Sequence, residues 1–185
     1  MKILNRLGPL ILLCALLTPA RSAPFKIAPG NVPLALKEGD NDVKVGDMPV
    51  RIIKAYVSNG TASSFYTYSV FVLPTKDSTH WLQVTTPSST DIGYNFRNYE
   101  SGDSNVQAVS FYKQGSQLFA VIAMKSGQAP EVNLKPAPVD FKVFSFNQDW
   151  DIPMFDNEGV AHAQARYMNA SDALTKEFYS KKNSR

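Results

Sequence analysis

The chain has 185 residues, 44% hydrophobic and 19% charged, with a single cysteine and a formal net charge of +3. That composition excludes a disordered polyampholyte, a disulfide-stapled miniprotein and a helical membrane bundle, and it fits one globular domain. The basic excess sits in the opening residues, so charge does not argue for a nucleic-acid partner.

Lys2 and Arg6 precede an apolar block, Leu7 to Leu17, which runs into the small-residue exit "TPARSAP". This pattern predicts a secretory signal peptide over residues 1–22, cut after Ser22 so that Ala20 and Ser22 fill the small-residue positions. The block is well short of the ~20 residues that span a bilayer, and nothing later is apolar for longer. Cleavage removes Cys14, leaving no disulfide, thiol nucleophile or cysteine metal ligand. It also removes Lys2, Arg6 and Arg21 but no acid, so 16 basic residues face 16 acidic ones. A cysteine-free exported chain of 163 residues is expected in a periplasm, as one domain with no membrane span.

Residues 23–33, "APFKIAPGNVP", read as an extended, proline-punctuated lead-in, and residues 34–185 as a single domain. "DVKV" and "MPVRIIKAYV" flank Gly46-Asp47, a hairpin signal. "SSFYTYSVFVL", rich in aromatic and β-branched residues, is apolar on both faces and predicts a central strand. "HWLQVTT", "IGYNF", "NVQAVSFYK" and "QLFAVIAMK" follow, the last two joined by "QGS". "VDFKVFSF", Val139 to Phe146, is expected to be the last strong strand. Seven or more short strands without intervening helices predict a mainly β fold, an antiparallel β-sandwich. From Val160 onward, good helix formers and the one-turn pair Leu174 and Phe178 predict a C-terminal helical segment, with Asn169 or Ser171 as N-cap. "SKKNSR" reads as a frayed end.

Ser110-x-x-Lys113 and Lys125-Ser126-Gly127 imitate two motifs of the serine β-lactamases. In those enzymes the serine opens a helix, which puts the lysine on its own side; in a strand, residues three apart face opposite ways. Ser110 should lie with Ala108 and Tyr112, and Lys113 with Val109 and Phe111. Tyr167-x-Asn169 comes after Lys-Ser-Gly rather than before it. Chance explains these labels better than acyl transfer does. His80 and His162 lack zinc-site spacing and read as half-exposed polar residues, although a hydrolase would be signalled by a pocket joining either one to carboxylates. No catalytic residue and no cofactor are expected.

The sharpest local pattern is "NQDWDIPMFDNE". Asn147, Asp149, Asp151 and Glu158 stand at the oxygen-ligand spacing of a calcium loop, with Ile152 where the turn needs glycine; the plainer reading is an acidic loop. Most aromatic residues belong to the core, but Trp81, Tyr94, Tyr99 and Trp150 are the candidates for a ligand or partner platform. "Asn59-Gly60-Thr61" reads as a hairpin tip rather than a glycosylation site.

"GDMPVRIIKAYVSNGTASSFYTYSVFVL", "VDFKVFSFNQDWDIPMF" and "YMNASDALTKEFY" resemble the exported carbapenem intrinsic-resistance family, the CarG-like proteins. The resemblance implies a periplasmic, non-enzymatic protein that confers tolerance to a carbapenem by binding the drug or shielding its cell-wall target. It brings no catalytic motif. The alternative is an envelope glycan- or protein-binding module without an antibiotic role. Uncovered edge strands would permit a homodimer.

Overall fold

The computed structural model describes residues 24–58, 60, 64–76, 79–86, 96–101, 104–147 and 152–180. Among them, ten strands form two antiparallel sheets in a sandwich. The first contains β1 (Gly39–Val45), β2 (Met48–Val57), β3 (Phe65–Val72) and β4 (Leu82–Gln83) in that order, and β5 (Phe96–Arg97) also pairs with β3. The second runs β10 (Met154–His162), β9 (Val139–Asn147), β8 (Gln117–Lys125), β7 (Ser104–Gln114) and β6 (Tyr99–Ser101). No helix among the described residues is long and apolar enough to cross a membrane.

Turn chemistry sets the hairpins. Val45 pairs with Met48 and Gln114 with Gln117, so each connection has two residues and opens on a glycine. Gly46 and Gly115 both have φ +58°, a conformation that a side chain resists. The two tips touch, with Gly46 N–H donating to the Ser116 carbonyl at 3.2 Å. The chain changes sheets at Asn98, whose N–H donates to Tyr66 O at 2.9 Å on the first sheet. Its side-chain oxygen accepts Val109 N–H at 2.9 Å on the second.

The sheets enclose Ile52, Val70, Phe96, Phe111, Phe146 and Phe155, all at most 1% exposed. Phe96 contacts Phe111 and Phe155 edge-on, with centroids 5.5 and 5.3 Å away, a favoured aromatic geometry. A second apolar cluster, including Tyr112, Phe141, Val143 and Phe178, lies on the other side of the second sheet. The two-sided strands are therefore β7, β8 and β9, and β10 also serves both clusters, with Phe155 in the first and Ala161 in the second. β3 is central in its sheet, as expected, but Phe65 and Phe71 on its outward side are only half-buried.

The C-terminal third departs from expectation. Val139–Asn147 is not the last strand, because β10 follows it, and Val160 to His162 extend β10 instead of opening a helix. The reason is tertiary: β9 offers a ladder to Met154–His162, a bulge between Asn157 and Gly159 absorbs the irregularity, and Phe25 N–H bonds Val160 O at 2.8 Å. The lead-in thus runs against the β10 edge, with Phe25 and Ile27 packed on the outer cluster. The helical segment reduces to α2 (Ala170–Ala173) and a π-helical turn, Leu174–Phe178.

Asn169 is the N-cap residue, as predicted, yet its side chain caps nothing locally. Its Oδ1 accepts Asn105 N–H at 2.9 Å, and Asn105 Oδ1 in turn accepts Ser171 N–H at 3.2 Å. A strand residue therefore caps this helix start. A further short helix, α1 (Glu131–Leu134), joins β8 to β9 and was not anticipated.

Candidate functional site

Ser110 and Lys113 lie on opposite faces of β7. Ser110 is on the side of Ala108 and Tyr112 and accepts the Tyr179 hydroxyl at 2.8 Å. Lys113 is on the side of Val109 and Phe111, its ammonium donating to the Lys44 carbonyl. The period of two separates them as the sequence predicted, so neither shares the other's proton. Lys125 is 4% exposed, donating to Met168 O at 2.8 Å and Ser104 Oγ at 3.3 Å, and burial holds its pKa below the usual lysine value. It pins the approach to α2 rather than facing solvent.

Of the four aromatic candidates, Trp81 and Tyr99 can be placed; Tyr94 and Trp150 lie outside the described residues. Trp81, 46% exposed, meets Phe71 edge-on with centroids 5.7 Å apart, and the Arg51 guanidinium sits 5.2 Å above its ring. Asp42 holds that guanidinium in a fork, Nε to Oδ1 at 2.6 Å and Nη2 to Oδ2 at 2.8 Å, and Asp40 adds a contact at 2.9 Å. The paired Arg51 lowers the Asp42 pKa. The result is a half-exposed, cation-capped indole on the outer face of the first sheet. Tyr99, 42% exposed, belongs to β6 in the other sheet, so the two are not on one sheet.

Of the four calcium-loop candidates, Asp149 and Asp151 lie outside the described residues. Asn147 ends β9, and Glu158 stands inside β10 beside its bulge, so both are carried by strands. Asn147 Nδ2 donates to Asp156 Oδ2 at 2.7 Å, and the Ser145 hydroxyl donates to Glu158. No group of three or more histidine, cysteine, aspartate or glutamate side chains among the described residues is arranged to hold a metal ion. Gln117 and Phe119 complete an open groove around these residues. Sequence reasoning missed Gln117, Ser145 and Asp156, although the alternation of Ser145 with Asn147 and of Asp156 with Glu158 marks one face of two strands.

His80 is exposed. His162, at the end of β10, places Nδ1 2.7 Å from Asp140 Oδ1, while Ser126 Oγ donates to Asp140 Oδ2 at 2.5 Å. The imidazole borders a cavity of about 230 Å³ with Ile27, Pro29, Gln164, Lys176 and Glu177. His162 thus meets one carboxylate, Asp140, and shares the cavity lining with a second, Glu177. The serine, however, is bonded to the carboxylate and not to the imidazole, so proton transfer from Ser126 to His162 has no direct route. Glu177 accepts Gln164 N–H at 2.7 Å, Ala165 N–H at 2.9 Å and the Tyr167 hydroxyl at 2.8 Å. This cluster was invisible in sequence because Asp140 and His162 pair only through the β9–β10 register.

No protein-family model matches the sequence, and no curated protein matches it. Among solved structures, the fold is similar to that described as the crystal structure of CarG. The likeness has a TM-score of 0.67 at 17% identity and covers 78% of this chain and 94% of CarG. At that identity the likeness is one of fold.

Proposed function

We propose that this is an exported, periplasmic protein of the CarG kind, acting by binding rather than catalysis and protecting its cell against a carbapenem. The observation that carries this reading is the fold likeness, which spans nearly the whole of CarG. The opposed faces of Ser110 and Lys113 and the bonding of Ser126 to Asp140 favour binding over acyl transfer. The partner is the drug itself or the cell-wall target it attacks.

The test is the melting temperature with and without excess carbapenem, alongside the drug's absorbance over hours. Drug at about a hundred times its dissociation constant adds about 2.7 kcal/mol, several degrees of melting temperature, and leaves the absorbance unchanged. Falling absorbance would replace binding with hydrolysis. No shift would remove direct drug capture and leave target shielding, read from survival of cells that carry or lack the protein. Light scattering at micromolar concentration tests the homodimer.

A second reading, an envelope glycan-binding module, is favoured by Trp81, 46% exposed on the outer face of the first sheet. An indole half open to solvent suits the apolar face of a sugar ring. Retention on cell-wall glycan that survives Trp81→Ala would count against it.

A further inference from the structure

The cavity beside His162 is assembled from three separate segments. The lead-in supplies Ile27, Ala28 and Pro29, the end of β10 supplies His162, and the C-terminal turn supplies Lys176 and Glu177. Each wall is fixed by bonds of its own. Phe25 N–H holds the lead-in to Val160 O at 2.8 Å, Asp140 holds the imidazole, and Glu177 ties the C-terminal turn to residues 164–167. Walls that are set before binding spare a ligand the cost of ordering them.

The charged groups at this cavity divide into two kinds. Both oxygens of Glu177 already accept donors from the protein, Oε2 from Gln164 and Oε1 from Ala165 and Tyr167. Both oxygens of Asp140 are likewise engaged, by His162 and by Ser126. The carboxylates therefore serve the walls. Lys176 is placed differently: its side chain is 63% exposed, and its ammonium stands 3.7 Å from Asp172 and 5.9 Å from the centre of the Tyr167 ring, both beyond hydrogen-bonding distance. An ammonium with three N–H donors can turn one of them to a ligand in the cavity without breaking a bond. Positive charge also flanks the lining in sequence, since Lys26 precedes Ile27, and Lys181 and Lys182 follow the lining residue Ser180.

His162 adds a second group. Its Nδ1 is engaged by Asp140 at 2.7 Å, so Nε2 is the ring nitrogen that meets a ligand, and the imidazolium form donates through it. Ile27, Ala28 and Pro29 make the opposite contribution, an apolar surface from one stretch of chain.

We propose that this cavity binds a small, compact carboxylate, its anionic end against Lys176 and His162 and its apolar body against the lead-in. The size limit follows from the volume: about 230 Å³ is less than the roughly 300–1,000 Å³ of sites that take drug-sized ligands. A simple cyclic acid and a carbapenem, which carries one carboxylate on a small fused ring, share that chemistry. The carboxylate site does not depend on the carbapenem reading; its assignment to the drug rests on that reading.

The experiment is an NMR titration of the purified protein at low salt with cyclopentanecarboxylate, its neutral carboxamide and a carbapenem. The acid is expected to shift Ile27, Ala28 and His162 resonances saturably, with the carboxamide at least roughly tenfold weaker. Lys176→Met, at an exposed side chain, should weaken the acid by a similar factor, and so should Ala28→Leu, which narrows the cavity and leaves its charge alone. Lys44→Met, at the remote β1–β2 hairpin, should change nothing, and circular dichroism should be the same for all three variants. Equal binding of the carboxamide, or unchanged affinity in Lys176→Met and Ala28→Leu, would overturn the proposal. Shifts of the same resonances by the carbapenem would extend the site to the drug. Binding of the plain acid alone would uphold the site and exclude the drug from it. A carbapenem that raises the melting temperature while neither compound shifts these resonances would uphold the drug reading and overturn this site.

Discussion

The two sheets of this sandwich bury their side chains differently. The second sheet is covered on both faces, by the first sheet on one side and by the lead-in and the C-terminal segment on the other. Among the described residues the first sheet is covered on its inner face alone, and its outer face presents Trp81, Phe71 and the Arg51 ion pairs. A strand covered on both sides has little latitude for sequence change, because every position packs. A strand covered on one side has every second residue free to take up recognition. The groove around Asp156 and Glu158 is the exception: among the described residues it lies where the outer cover of the second sheet stops.

The largest expected effect comes from that double cover. Phe111→Ala, between the sheets, and Phe178→Ala, on the outer cluster, should each cost about 3–5 kcal/mol in denaturant unfolding. Phe71→Ala on the open face should cost clearly less. Equal losses at all three positions would mean that the first sheet is covered in solution after all.

Alkaline pH sharpens the comparison further. Tyr112 and Tyr179 pack in the outer cluster, and burial raises both pKa values above the ordinary 10.0. Above pH 10 the unfolded chain loses these protons while the folded chain keeps them. Stability therefore falls as pH rises, by up to about 1.4 kcal/mol per pH unit for each tyrosine. Lys125 acts with the opposite sign. Its folded pKa lies below 10.5, so between the two values the unfolded state holds the extra proton and stability rises with pH. Thermal melts of Tyr112→Phe and Tyr179→Phe should lose less stability above pH 10 than the parent protein, and Lys125→Met should lose the rise that precedes it. Parallel profiles for all four proteins would contradict the burial assigned to these groups.

Smaller again is Asn105→Ala, which removes the strand-borne cap of α2. About 1 kcal/mol is expected, together with faster amide exchange at Ser171. Smallest is Trp81→Ala, whose unfolding midpoint should be nearly that of the parent because the indole is already half in water; its effect belongs to binding. A large drop in the midpoint would make Trp81 a packing residue and weaken the glycan reading.

Much of the fold was legible where local chemistry and tertiary demand agree. Gly46-Asp47 and "QGS" announce two-residue hairpins because glycine takes the left-handed conformation freely. The alternation along Asn105 to Lys113 separated Ser110 from Lys113 because strand side chains have a period of two. β10 was not legible. "MFDNEGVAH" has acids, an asparagine and a glycine where a strand would carry β-branched residues, and it becomes a strand because β9 has an unpaired edge to fill. The candidate sites suffered from the same omission. Without β10, Asp140 and His162 are 22 residues apart with no reason to meet, and Asp156 and Glu158 read as part of a loop.

By itself, then, the sequence determined the class of fold, the hairpin turns, the faces of β7 and the presence of a C-terminal helical turn built on Leu174 and Phe178. These follow from φ preferences and from periodicity, both of which act over a few residues. Only the tertiary structure decided which sheet is covered twice, which residue caps α2, and which carboxylates and aromatics share a groove. Each of these depends on cross-strand register and on what packs over a sheet, contacts between residues far apart in the chain that no local spacing encodes.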